Sequence, residues 1–331
     1  MKSPFTGKEM KLTKEKRTVS FRKKEIEYIN LSYFCEQSQE NFVSTELEEL
    51  NIKQIHNKYR ELNNIPFPEE IKKLRQQYGL SAAKMSELFG FGPNQYALYE
   101  GGDMPSISNA KSISLALDPL VFKKMIEENR AIIKEKEFKS ILSKIHLEMS
   151  DETEFFIEDY LLGDNNPTSF TGYKTPSFDK LSNMTIFFAE HLKPHKTVLN
   201  KLLFYTDFGH YKNYASSVTG CRYAAIPFGP VPDKFNSLFD KMRNDCIIDV
   251  EYKEYPSGLL GEKFIPNSKF IFNESLFEKT ELEVMEKVKE QFKGKSTKAV
   301  VEISHQETAW LENQEDKSLI NYEHAFDLNL L

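Results

Sequence analysis

The groups best suited to chemistry in this chain are imidazoles and carboxylates that lie close together in sequence. His191 and His195 are four residues apart, with His210 beyond. On one helix that spacing would present both rings to a metal. Pro194 separates them, and no cysteine or paired carboxylate completes a ligand set, so no metal centre is expected. Asp207 with His210, and His305 with Glu307, have the spacing of acid–base pairs. Neither is accompanied by a serine on a glycine elbow. Cys221 lies between Gly220 and Arg222, and a neighbouring cation favours a thiolate. A single cysteine at a strand edge reads more simply as a small apolar residue. No GxxxxGK[ST] loop and no GxGxxG after a strand is present. The sequence therefore points to binding rather than turnover, with no catalytic residue and no cofactor.

The 331 residues are 40% apolar and rich in Phe and Tyr, enough for two or three packed cores. No apolar run reaches the length of a membrane span, and the polar start lacks the core of a signal peptide. Three scattered cysteines, Cys35, Cys221 and Cys246, suit a reducing cytoplasm. The net charge of −6 argues against indiscriminate binding to nucleic acid. Lys2 to Lys24 is locally basic, which reads as a solvated ribbon of short strands and secondarily as a source of phosphate contacts.

Four segments are expected. Residues 1–64 alternate like short strands, as in Arg17-Thr18-Val19-Ser20-Phe21, before a helix from Thr45. Phe5, Val19, Phe21, Tyr28, Phe34 and Phe42 are its expected core. Residues 65–128 form a compact helical unit. Residues 129–177 are a helical linker, fed by a long helix from about Pro119 to His146 and ending in the turn-rich stretch 163–177. Residues 178–331 make the last domain. It begins with a helix capped by Asp179, followed by a helix from near Thr197 that is apolar almost all round and so is central. Strands are expected at Arg222–Ile226, Ile247–Tyr252 and Lys269–Phe272. Thr280-Glu281-Leu282-Glu283 reads as a capping box. The fold class is a multidomain, mainly helical α+β chain.

Within 65–128, Pro68-Glu69-Glu70 opens one helix, Gly79 ends it, Ser81 caps the next, and a third runs from Pro93 to Gly101-Gly102. This is a helix-turn-helix layout. Residues 1–128 resemble an MqsA-type antitoxin, in which a zinc ribbon precedes a helix-turn-helix. Where that family has CPxCG, this chain has Ser3-Pro4-Phe5-Thr6-Gly7, and the second ligand pair is replaced by Cys35-Glu36-Gln37-Ser38. One thiol does not make a structural zinc site. The resemblance implies operator binding, with Lys84, Asn94, Gln95 and Tyr96 as candidate DNA contacts, and a homodimer through this region. Asn94 matches a base-reading Asn of the family. The positions of its Arg hold Ala97 and Leu98, which weakens guanine readout and phosphate grip.

The most informative stretch is LNKLLFYTDFGHYKNYASSVTGCRYAAIPFGPVPDKF, residues 199–235. With SHQETAW at 304–310, it resembles a Panacea (SocA-like) domain over nearly all of 178–331. That resemblance implies an antitoxin whose C-terminal domain neutralises a cognate toxin, encoded in an adjacent gene, by direct binding. Pro227, Pro230 and Pro232 with Gly229 make a stiff corner that costs little entropy to order. Lys201, His210, Tyr211, Lys212, Tyr214, Arg222, Tyr223 and Asp233 are expected to be exposed, and with Phe228 they give the candidate toxin contacts. Leu202, Phe204, Tyr205 and Phe208 read as core. Two competing classes are a DNA-binding transcription regulator and a SocA-like proteolytic adaptor that delivers a toxin to a AAA+ protease.

Overall fold

The fold is taken from a computed structural model that describes residues 1–150, 152–163, 166–254 and 260–330. The chain is mainly helical and divides into two compact units, Met1–Ile157 and Glu158–Leu331. No described helix is long and apolar enough to cross a membrane.

The first unit opens with a long antiparallel hairpin, β1 (Lys11–Phe21) and β2 (Lys24–Cys35), joined by Arg22-Lys23. Both turn residues have positive φ, 48° and 67°, the geometry usually given to Asn-Gly. The Arg22 guanidinium donates to the carbonyls of Met104 and Pro105 (3.1 and 2.8 Å), which anchors the turn. The strands are much longer than the short ones expected, because no ordinary turn signal marks their junction. A short β3 (Glu40–Phe42) pairs only with the end of β2. Past that point α1 (Thr45–Asn63) covers β2. The Asn51 carboxamide donates to Leu31 O (3.0 Å) and accepts from Leu31 N (2.9 Å), and Gln54 does the same at Ile29 (2.9 and 3.1 Å). Two side-chain amides one turn apart thus stand in for a neighbouring strand and satisfy backbone groups that would otherwise be orphaned. The core here is Ile26, Leu31, Cys35, Leu50 and Tyr59. Of the six expected core residues, Phe5 is 76% exposed and the other five are half-buried, because the helix lies on one face of the hairpin.

The helices α2 (Pro68–Tyr78), α3 (Ala82–Leu88), α4 (Gln95–Glu100), α5 (Ile107–Ala116), α6 (Pro119–Glu128) and α7 (Glu135–Ser150) follow. Glu70 accepts from Phe67 N (2.7 Å) at the start of α2, Gly79 ends it at φ 71°, and Ser81 Oγ accepts from Lys84 N (3.1 Å) to cap α3. These are the local signals read from sequence. Ile71, Leu74, Tyr78, Met85, Tyr96, Ile113, Phe122, Ile126, Ile141 and Ile145 share one core. The single helix expected over Pro119–His146 is instead two, broken after Glu128 by a 3-10 turn at Arg130–Ile132. The break lets α7 fold back to bury Ile141 and Ile145.

The unit boundary falls within α8 (Glu152–Leu162). In the second unit, α9 (Phe178–Leu192) is capped by Ser177, whose Oγ accepts from Lys180 N (3.2 Å), and not by Asp179. The stretch expected as a linker packs inside this unit: Ser169, Thr171, Tyr173 and Lys174 are buried, and Ser217 N donates to Gly172 O (2.9 Å). The central α10 (Lys196–Tyr214) is followed by the hairpin β4 (Tyr223–Ile226) and β5 (Gly229–Pro232), then α11 (Phe235–Asn244). A second hairpin pairs β6 (Ile248–Glu254) with β7 (Leu260–Pro266). The expected strand at Lys269–Phe272 does not form. Next come α12 (Lys279–Phe292), α13 (Thr297–Ser304), α14 (Thr308–Leu311) and a closing 3-10 turn at Tyr322–Asp327.

The cap of α12 is Glu278, two residues before the expected Thr280, with Glu281 accepting from Glu278 N (2.9 Å). Glu281 is fully buried and also takes Lys180 Nζ on both oxygens (2.8 Å each) and Lys174 Nζ at 3.6 Å. A buried carboxylate holding two lysines is costly to neutralise, because the lysines lose their counter-charge. Glu281→Gln is expected to destabilise the second unit by about 3 kcal/mol or more. The single tryptophan, Trp310, lies in this unit, so urea denaturation followed by its fluorescence reads the effect directly.

Candidate partner-docking site

Thirteen consecutive residues of α10, Leu199–Tyr211, are buried. A helix without a solvent face must place each of its polar side chains on a protein partner. Asp207 accepts from Val218 N (2.8 Å), Thr219 N (2.8 Å), Thr219 Oγ1 (2.6 Å) and Tyr223 OH (2.7 Å). Burial pushes its pKa up and those four donors oppose the shift. Tyr205 OH donates to Glu307 (3.0 Å). His210 meets Ser216 O through Nδ1 (2.6 Å) and Thr280 Oγ1 through Nε2 (3.2 Å). Lys201 Nζ donates to Pro230 O (2.8 Å). These bonds draw the loop at 216–223, the GPVP corner and the SHQETAW segment onto one helix.

The acid–base pairs considered from sequence do not form. Asp207 and His210 take the separate partners just given, and Glu307 serves Tyr205 and Asn329 while His305 stacks on Trp310 (3.9 Å between ring centres). Cys221 is buried, and that burial pushes its thiol well up from its usual value, the opposite of an activated thiolate.

The hairpin tip Ile226-Pro227-Phe228-Gly229 is gripped from both sides. Trp310 Nε1 donates to Ile226 O (2.8 Å), and Lys201 holds Pro230 O. Gly229 has φ +93°, and a Cβ there would lie 2.5 Å from Ser304 Oγ and 2.7 Å from Lys201 Cε. Only glycine lets the strand approach α13 and α10 this closely. Phe228, between the two anchored carbonyls, is 66% exposed. A large aromatic held out on a fixed backbone is the usual form of an interface anchor.

The other expected contacts distribute differently. Lys201, His210, Tyr211 and Tyr223 are all buried, at 2% exposure or less. Residue type alone sets them at the surface, but they belong to the helix and the network around it. Tyr214 is half-buried against His210. Arg222 and Asp233 are partly exposed, pair at 3.4 Å, and are joined by Asp233 N donating to Arg222 O (2.7 Å). The Arg222 guanidinium also covers Gly163, where a Cβ would lie 2.1 Å from it. What sequence reasoning missed is the part played by Trp310 and Lys201 in fixing the tip. The signal available was a lysine one residue before the apolar run Leu202-Leu203-Phe204 of the central helix.

In the first unit, Tyr96 is fully buried: its OH donates to Ile71 O (2.8 Å), and burial raises its pKa. It is therefore not available to DNA. Lys84 is engaged by Glu87 (2.7 Å) and Ile132 O (2.8 Å), and Arg75 by both oxygens of Glu100 (2.5 and 3.1 Å). Asn94, Ala97 and Leu98 are exposed and Gln95 is half-buried, so this face presents amides and apolar groups rather than cations.

The resemblance to a zinc ribbon can be tested at the ligand positions. The two loops do meet, with Thr6 Oγ1 3.4 Å from Cys35 Sγ. Ser3 Oγ accepts from Phe5 N and Thr6 N (3.3 Å each) and so caps its own turn. One thiol among neutral hydroxyls is a poor donor set for zinc, and no group of three or more His, Cys, Asp or Glu gathers at metal distance among the described residues. The residues do not fit the metal. Chelation by EDTA is expected to leave the thermal midpoint unchanged. Elemental analysis giving one zinc per chain, with a fall in midpoint on chelation, would contradict this.

Lys201 supplies a second prediction. Burial pulls its pKa from 10.5 down to about 7. The titratable neighbour is His305, itself lowered by burial and by Lys201. Between pH 7 and 10.5 the unfolded chain holds a proton that the folded chain has released, so stability rises with pH across that window. Below pH 7 both forms are protonated and the full burial penalty applies, at roughly 1.4 kcal/mol for each tenfold loss of proton affinity on folding. Lys201→Met is expected to raise the thermal midpoint of the second unit most at pH 6–7 and progressively less toward pH 10. Calorimetry at three pH values checks it, and a lower midpoint for the variant at pH 6–7 would contradict it.

The sequence around this site has a counterpart among known families. No curated protein gives a significant match to the chain. The family model of the SocA-like antitoxin Panacea domain matches residues 199–311, a span that runs from α10 through the hairpin tip to Trp310 and supports an antitoxin role.

Proposed function

We propose that the protein is a non-catalytic antitoxin that neutralises a cognate protein toxin by direct contact through its second unit. The observation that carries this reading is the coincidence of the antitoxin family match, 199–311, with a rigid and exposed aromatic tip at Phe228. Phe228 is the central contact, and Arg222, Asp233 and Tyr214 are subsidiary contacts that retain some exposure. The buried Lys201, His210, Tyr211 and Tyr223 act by holding the backbone and the helix in place. Occupation of the toxin's active site or of its substrate path then follows from the bulk of the bound domain.

The first unit is assigned a regulatory part, with a homodimer and operator contact. Exposed Leu115, Leu117, Leu120 and Val121 offer an apolar surface for a second copy. Asn94, with exposed Lys72 and Lys73, is what remains for DNA, and the cation-poor face supports weak, salt-sensitive binding.

Co-expression with the product of each adjacent reading frame tests the main reading. One neighbour is expected to arrest growth alone, to be rescued by this protein, and to co-purify with it. Phe228→Ala is expected to weaken that complex by about 2 kcal/mol, roughly thirtyfold in Kd. Rescue without co-purification, with the toxin lost only when a AAA+ protease is present, would replace neutralisation by contact with proteolytic delivery.

A further inference from the structure

A cleft of about 990 Å³ lies in the second unit, walled by the turn between α9 and α10, the first turn of α10, strands β6 and β7, and the connection from α12 to α13. Backbone bonds fix these walls. Phe264 N donates to Pro194 O (2.9 Å), which ties the α9–α10 turn to β7, and Lys295 N donates to Phe292 O (3.1 Å) at the end of α12. Four lysines line the cleft, Lys193, Lys196, Lys295 and Lys298, against one carboxylate among the described lining residues, Glu262. In a chain of net charge −6 this is a local reversal of sign. Glu262 is taken by Lys196 at 2.9 Å. Lys298 meets Glu302 only at 3.8 Å, with both side chains open to water, a pair of little worth. Lys193 and Lys295 are exposed and pair with no carboxylate among the described residues. They come from different walls, so the cleft sets two uncompensated cations around one space. Tyr252 is an observation of another kind: it lines the same cleft from β6 with its side chain 56% exposed.

We propose that this cleft binds a nucleotide, with its phosphates among Lys193, Lys295 and Lys298 and its base on the ring of Tyr252. Lysine ammonium groups hold phosphate as point charges. An uncovered aromatic ring stacks on a base of any sequence. The volume lies at the upper end of the range that holds whole small molecules, far more than a lone phosphate fills. An acidic side chain of a protein would engage the lysines but leave Tyr252 and most of the space without a role. The chemistry recognised is a base carrying phosphates, supplied by a free nucleotide or by the end of a nucleic-acid strand. Phe228 is not among the residues that line this cleft, so the inference goes beyond the antitoxin reading and does not rest on it.

Calorimetric titration of the full chain with ATP, GTP, inorganic triphosphate and a short single-stranded RNA tests this. At least one of ATP, GTP and the RNA is expected to bind saturably at physiological salt. The double variant Lys193→Ala, Lys295→Ala removes two exposed side chains, so it is expected to keep the wild-type melting curve and to bind that ligand at least tenfold more weakly. Tyr252→Ala is expected to weaken the same ligand about tenfold while leaving inorganic triphosphate as it was, which separates stacking from bulk charge. Removing two exposed lysines outside the cleft, Lys279→Ala with Lys287→Ala, is expected to change nothing. Tighter binding of the RNA than of ATP or GTP would support the site and assign a strand end as the source; the reverse would support it and assign the free nucleotide. No saturable binding by any of the three, inorganic triphosphate bound as tightly as the nucleotides, or undiminished affinity in the Lys193, Lys295 double variant would overturn the nucleotide site. The antitoxin reading stands or falls separately, on toxin binding measured without nucleotide.

Discussion

A helix buried on all sides has to answer for every polar atom it carries, and α10 carries several. Asp207, Tyr205, His210 and Lys201 each dictate a partner, and the partners lie in segments far apart in sequence. Leaving any of these groups unpaired would cost on the order of 1–3 kcal/mol, a large share of a domain's net stability. The loop at 216–223, the proline corner and the segment around Glu307 are therefore where they are because α10 requires it. The exposed tip at Phe228 is the outward result of that inward constraint, since two of the bonds that fix it come from the core side, from Lys201 and from Trp310.

Much of this was legible in the residues. The all-round apolar character of α10, the breaks at Gly79 and Gly90, the Ser81 cap and the strand ending at Ile226 are local signals, and each lies where the pattern places it. What was not legible depends on contacts distant in sequence. The Arg22-Lys23 turn is held by Met104 and Pro105 rather than by its own residue types. The polar stretch before α9 looks like a tether because Ser, Thr and Gly pattern as a loop, yet Thr171 is buried where its carbonyl accepts from Ser217 Oγ, just past α10, and Tyr173 where its ring stacks on Tyr211 at the end of α10. Side-chain exposure was the least legible property. Lys201 is of a residue type mostly found exposed, and His210 and Tyr223 are of types with no firm preference, so only the packing of the whole second unit reveals that they face inward.

The first unit shows a related economy. A long hairpin is covered by a helix, and the paired amides of Asn51 and Gln54 satisfy the outer backbone groups of its second strand. The N-terminal turn meets the end of that strand at Thr6 and Cys35. The face of α4 presents Asn94 while the nearby cations Arg75 and Lys84 are spent on Glu100 and Glu87. The charge of these two cations is thus used within the helical unit itself.

The central claim is that the partner sits on the hairpin tip of the second unit. Amide hydrogen exchange on the free protein and on its complex with the co-purified toxin measures this most directly. The account predicts new protection across Ile226–Asn236 and the first turn of α10, with no change at Asn94–Glu100. Protection confined to α4 and its neighbours, with the tip exchanging as it does in the free protein, would contradict it.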